Sequence, residues 1–252
     1  MRCSGGVQCG AAALDVAGLA SRRIGATPSR PAKLAGVSDH SVPPSRQPIF
    51  NIPPATGALI LANAAVHVVR LLLAPESDDA LVSLLAFIPG RYTDAAGIGW
   101  PAAVDPVTYQ FLHANLIHLG VNMLALLAFG SGVERRIGGA RMVIFYLVCG
   151  VLSAAAHFAV YPTSLVPIMG ASGAISGLFG GVLRFQFGVG AAGRRGLWPV
   201  VILWIAVNIV LGQTGMPGME DAAIAWVAHL GGFGAGLLLF NLAARGTGHE
   251  RS

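Results

Sequence analysis

Apolar residues in this chain fall into six long blocks, near 55–74, 116–133, 141–160, 172–188, 197–212 and 222–244. A helix rises 1.5 Å per residue, so about 20 apolar residues cross a hydrocarbon core of roughly 30 Å. The pattern therefore predicts an all-α polytopic membrane protein with six transmembrane helices. Several blocks are short and contain glycine, which predicts a tightly packed bundle in which some helices end below the membrane surface. A long polar connection over about 75–115 separates the first two blocks. Within it "ALVSLLAFIPG" (Ala80 to Gly90) is apolar but too short to span, and is expected to lie in the interface.

The flanks differ from the blocks. Residues 1–50 are rich in Gly, Ala, Ser, Pro and Arg without an apolar period, and read as a disordered basic cytoplasmic tail with no signal peptide. Residues 51–245 form the membrane domain and 246–252 a short cytoplasmic tail. Every basic residue except Arg70 and Arg91 falls in the tails or in the loops after the second and fourth blocks. The positive-inside rule then puts both termini in the cytoplasm, as an even number of spans requires.

Composition sharpens this picture. The chain is 54% hydrophobic and only 11% charged, against about 25% charged in a soluble domain. Its net charge of +5 is carried almost wholly by arginine, without basic–aromatic interleaving, which argues against nucleic-acid binding. Cys3, Cys9 and Cys149 have neither disulfide nor metal-ligand spacing and read as free thiols. The arginine- and alanine-rich usage points to a bacterial inner membrane, with an organelle membrane as the alternative.

Polar groups inside a membrane are expensive, and each is a functional candidate. The second block offers His113, Asn115, His118 and Asn122, the fourth Ser172 and Ser176, the sixth His229. His118 and Asn122 are four apart and share a helix face. Gly173, Gly177 and Gly181 follow Ser172 at intervals of four, and Gly232 and Gly236 follow His229. Two such small-residue stripes let backbones approach closely, which a direct bond between Ser172 and His229 needs. His229 would take the serine proton. His118, Asn122 and the Ser172 N–H would stabilise an oxyanion. No carboxylate lies at that level, so a Ser–His dyad is expected rather than a triad. Ser176 is expected to bond its own helix backbone. His67 and His157 are expected to bridge helices, and Glu134 with Arg135 to cap a helix or pair ions.

At these residues the chain resembles the rhomboid family of intramembrane serine proteases. "HANLIHLGVNM" matches the family's His-x-x-x-x-His-x-x-x-Asn pattern, "GASG" its Gly-x-Ser-Gly nucleophile segment, and "AHLGGFGAG" its histidine followed by a glycine stripe. "GVERRIGGAR" resembles the Glu-Arg segment after its second helix. The resemblance implies a six-helix rhomboid-like bundle with a long first outer loop and a water-filled cavity opening outward. It implies Ser172 as nucleophile, His229 as general base, an oxyanion hole of His118, Asn122 and Ser172, and supporting roles for His113, Gly170, Gly173, Gly232 and Gly236. Substrates would be transmembrane proteins cut in or near their membrane segment within the lipid bilayer, with no metal or organic cofactor.

Two features depart from the family. The aromatic residue often found four positions after the nucleophile is Ser176 here, leaving Phe179 or Trp226 to orient His229. The Trp-Arg pair of the outer loop is absent, with Arg91 and Trp100 well apart. A catalytically inactive relative that binds membrane clients is the alternative. A small transporter would need inverted repeats, which the chain does not display.

Overall fold

The computed structural model describes residues 51–93, 99–188, 191–214 and 226–245. The tails expected at 1–50 and 246–252 lie outside the described residues. Among the described residues eight α-helices follow in order: α1 Pro54–Leu72, α2 Pro75–Leu85, α3 Pro101–Thr108, α4 Leu116–Ile137, α5 Gly139–Val160, α6 Ser172–Phe187, α7 Ala191–Thr214 and α8 Trp226–Ala243. The six apolar blocks correspond to α1 and α4 to α8. Three helices (α1, α2 and α3) open on proline, where the missing N–H removes a donor that has no intrahelical acceptor anyway.

Among the described residues four helices, α1, α4, α5 and α8, are long and apolar enough to cross a membrane. Their polarity is reversed relative to a soluble protein. On α1 the buried residues are Thr56, Leu59, Asn63 and His67, while Leu61, Val68, Leu71 and Leu72 are exposed. Lipid is as apolar as leucine, so the outward face needs no polar cover and the few polar groups turn inward. The start of α1 is held by a single carboxylate. Glu134 Oε1 accepts the Ala55 N–H at 2.9 Å, and Oε2 accepts the Thr56 N–H at 2.6 Å and its hydroxyl at 2.7 Å. Glu134 is thus a helix cap, and its neighbour Arg135 donates separately to the Asn51 carbonyl.

Helix α6 is the centre of the bundle. It has 16 residues, nine of them buried, and α4, α5, α7 and α8 all pack against it. Its approach to α8 is backbone on backbone. A Cβ on Gly232 would stand 2.0 Å from the Gly173 carbonyl oxygen, and one on Gly236 2.0 Å from that of Gly177. The two glycine stripes meet, and no residue with a side chain fits there.

The described residues between α1 and α4 are folded. The stretch Ala80–Gly90 is not one continuous helix: α2 ends at Leu85, and Phe87 then pairs with Ile168 in an isolated antiparallel bridge. That bridge ties the connection to the segment leading into α6. Arg70 at the end of α1 pairs with Asp78 at 2.7 Å and donates to the His113 carbonyl at 2.6 Å. The hydrogen bond from Arg70 holds the Asp78 carboxyl below its ordinary 3.8. Arg91 donates to the Ala86 carbonyl at 3.1 Å and to fully buried Asp105 at 3.0 Å, and Tyr92 donates to the other Asp105 oxygen. Burial pushes the Asp105 carboxyl above its usual range, and the bonds from Tyr92 and Arg91 oppose that rise. Arg91 therefore anchors the loop through a carboxylate rather than beside a tryptophan, and Trp100 is 64% exposed.

Candidate functional site

The segment before α6 delivers Ser172. Gly170 donates its N–H to the Tyr109 carbonyl at 2.9 Å and has φ +128, a backbone region that L side chains rarely adopt. Helix α6 then begins at Ser172 with no side-chain cap. The N–H groups of its first turn are left free of intrahelical acceptors, at the positive end of the helix dipole.

Helix α8 brings His229 to that point. Its Nε2 lies 2.7 Å from Ser172 Oγ. Gly173 and Gly232, one residue beyond Ser172 and three beyond His229, form the contact that allows it. Helix α5 closes the third side. Ser153 Oγ donates to the Ala228 carbonyl at 2.6 Å, and a Cβ on Gly173 would strike Ser153 Oγ at 2.0 Å. Both Ser172 and His229 remain partly exposed.

Helix α4 supplies the opposite wall. Asn115 caps it by accepting the His118 N–H at 2.8 Å. The His118 ring accepts the Ala114 N–H at Nδ1, 3.4 Å away. That contact favours the tautomer with hydrogen on Nε2. A Cβ on Gly170 would lie 2.9 Å from His118 Nε2 and 3.6 Å from Ser172 Oγ. The imidazole donor and the hydroxyl therefore flank one point, which the glycine leaves open. Asn122 is buried one turn on, with its amide donating to the His118 carbonyl at 2.8 Å. One of its two N–H bonds is thus committed to its own helix. His113 is fully buried and packs edge-on against His118, ring centroids 5.1 Å apart. Burial first, then the charges of His118 and His67, push it down to about 3.

Other polar positions have duller surroundings. Ser176 donates to the Ser172 carbonyl at 2.8 Å, four residues back on its own helix. His67 is buried on α1 beside the His113 backbone, and the His157 ring packs on Tyr161 at 5.1 Å. Phe179 and Trp226, expected to orient His229, pack against other partners. Phe179 packs with Phe129, Trp204 and Phe233, and Trp226 sits against Gly212 of α7. The group on the far side of the imidazole is Asn208 of α7, whose Oδ1 is 2.8 Å from His229 Nδ1. Sequence reading omits Asn208, although an amide inside an apolar block is the kind of signal that singles out the other candidates.

The family model for the Rhomboid domain matches residues 103–245, more than half of the chain. The chain belongs to the rhomboid family. Among curated proteins, RHOMBOID-like protein 4 of Arabidopsis thaliana is 35% identical over 130 residues, 52% of this chain and 31% of that protein. Rhomboid protease GluP of Bacillus subtilis is 33% identical over 113 residues, 45% of this chain and 21% of its own length. Rhomboid-type serine protease 2 of Emericella nidulans is 33% identical over 136 residues, 52% of this chain and 25% of its own. The chain thus spans a third or less of these relatives. The matched rhomboid region runs from α3 through α8 and contains Ser172, His229, His118, Asn122 and Asn208. With four apolar helices of spanning length, this rhomboid protein is an integral membrane protein.

Proposed function

We propose that this chain is an intramembrane serine endopeptidase that cleaves transmembrane proteins in or near their membrane segment. The observation that carries the reading is the 2.7 Å contact of His229 Nε2 with Ser172 Oγ, between a serine and a histidine on two largely apolar helices. A serine hydroxyl is a poor nucleophile until a base takes its proton. As Oγ attacks the scissile carbonyl, its proton passes to His229 Nε2. The His118 Nε2–H, the Ser172 N–H and the remaining Asn122 N–H stabilise the oxyanion. The tetrahedral intermediate then collapses, His229 gives the proton to the departing amine, and an acyl-enzyme on Ser172 remains. Water activated by His229 hydrolyses it. Relatives named as proteases support the same chemistry.

The architecture that goes with this reading is a bundle of six spans, α1 and α4 to α8, with residues 75–115 forming the outer connection. Both termini face the cytoplasm, a reading supported by the arginine distribution. The polar groups of Ser172, His118 and His229 then share one level below the outer surface, within reach of water.

The test is cleavage of a single-span substrate by the detergent-solubilised protein, together with labelling by a fluorophosphonate. Ser172→Ala and His229→Ala are expected to lower kcat/KM by at least about 1,000-fold, and Ser172→Ala to abolish labelling. A wild-type protein that neither cleaves nor labels is an inactive relative. Cleavage undiminished in Ser172→Ala removes the proposal.

A further inference from the structure

We infer that Asn208 is the positioning residue of His229: its carboxamide oxygen accepts the Nδ1–H and fixes the tautomer and plane in which Nε2 faces Ser172. This deepens the protease reading and rests on it for its kinetic consequence.

The geometry fixes the direction of each bond. Asn208 is buried on α7. Its Nδ2 donates to the Trp204 carbonyl, four residues back, at 2.8 Å. Turning the amide over would set Oδ1 against that carbonyl, two acceptors face to face, so the amide stays as it is. Oδ1 is then the atom 2.8 Å from His229 Nδ1, and a carboxamide oxygen only accepts. Nδ1 must therefore carry the hydrogen, and Nε2 keeps its lone pair for Ser172 Oγ at 2.7 Å. With hydrogen on Nε2 instead, Nδ1 and Asn208 Oδ1 would face each other as two acceptors, and Nε2 would have no lone pair to take the Ser172 proton.

The helix carrying Asn208 is itself fixed one turn away. Trp204 packs on Phe179 of α6, centroids 4.9 Å apart, and on Phe233 of α8, 5.9 Å apart. The arrangement Asn208–His229–Ser172 thus joins α7, α8 and α6, and is complete only while α7 is docked. It performs the task that a third group performs for serine–histidine pairs on other folds. Here a neutral amide does so, without the desolvation cost of a carboxylate inside a membrane.

The experiment uses the full chain in detergent, with selectively ¹⁵N-labelled histidine, in the wild type and in Asn208→Leu, which keeps the volume and removes the acceptor. Long-range ¹H–¹⁵N correlations are expected to show His229 as the Nδ1–H tautomer in the wild type and as a mixture in Asn208→Leu. An unchanged tautomer overturns the inference whether or not the protein is a protease. In cleavage assays, Asn208→Leu is expected to lose about 10- to 100-fold in kcat with little change in KM, part of the roughly 100- to 10,000-fold that a positioned base supplies. Asn208→Asp restores the acceptor and adds a charge that favours imidazolium. It should recover kcat at high pH and move the acid limb of the kcat/KM profile upward. His118 of α4 is the other titratable group whose charge His229 senses, and its contribution is common to all three proteins. Wild-type activity with Asn208→Leu equal to it, and no shifted limb in Asn208→Asp, sinks the role of Asn208 and leaves the Ser172–His229 pair standing.

Discussion

The α-carbon of Gly236 on α8 faces the carbonyl of Gly177 on α6 so closely that an added Cβ would stand 2.0 Å from the oxygen. Neither atom is the end of a flexible side chain, so an alanine there has to push two helices apart. Overpacking of this kind costs about 1–3 kcal/mol. Gly236→Ala is expected to lower thermal stability by that amount and to reduce activity further by lengthening the Ser172–His229 contact. Gly234, on the same helix, has nothing within 4 Å of an added Cβ. Gly234→Ala should melt like the wild type, and equal melting of the two variants would refute the crossing as described.

Glu134 offers a second test, remote from Ser172. Its carboxylate accepts from the Ala55 N–H, the Thr56 N–H and the Thr56 hydroxyl while being only 6% exposed. Glu134→Gln replaces one acceptor by a donor aimed at backbone donors. Hydrogen bonds to charged groups contribute about 1.5–3 kcal/mol each, and a lost cap about 1 kcal/mol. Glu134→Gln should therefore destabilise by about 2 kcal/mol, with proteolysis at the start of α1 as the local readout.

Acid should act through His113. Its pKa is about 3 in the fold, chiefly through burial, against an ordinary 6.5. A depressed histidine favours folding wherever the unfolded chain is already neutral, so the contribution is complete above pH 6.5. It is lost as pH falls from 6.5 toward 3, by up to about 1.4 kcal/mol per pH unit. Melting temperature measured against pH should fall across that window in the wild type and fall less in His113→Leu. Superimposable slopes would show that His113 does not titrate this way.

The described part of the connection between α1 and α4 should behave as one unit around Asp105. Removing Arg91 alone leaves a fully buried carboxylate with Tyr92 and no cation. Breaking one side of a buried pair costs about 3–5 kcal/mol, whereas replacing both partners with apolar groups is often nearly neutral. Arg91→Leu should therefore be more damaging than the double variant Arg91→Leu/Asp105→Leu, as read by a thermal double-mutant cycle. Additive losses would mean that the pair is not coupled.

Much of this protein is legible along the chain because lipid is a simple solvent. An apolar block of about 20 residues has few alternatives to a helix there, so the positions of α1, α4, α5 and α8 follow directly. Inside such blocks Ser172, His118 and His229 stand out because a polar side chain in lipid demands a partner. The glycine stripes beside Ser172 and His229 announce a close crossing, since only small residues let backbones touch. Glu134 with Arg135 reads along the chain as either a cap or an ion pair, and its three bonds to α1 make it the cap.

What the sequence by itself determined is which residues seek partners; which partners they find was decided by the tertiary structure. Helical period assigns a residue to a face of its own helix but not to a neighbour, and a hydrogen bond requires agreement within about 3 Å between helices far apart in the chain. Phe179 is three positions from Ser176 in sequence, yet it turns toward Trp204 and Phe233. Asn208 belongs to no motif, and reaches His229 only because α7 docks at one rotation and one depth. The loop anchor was decided the same way: Arg91 and Asp105 are fourteen residues apart, and only the folded connection brings their charges together.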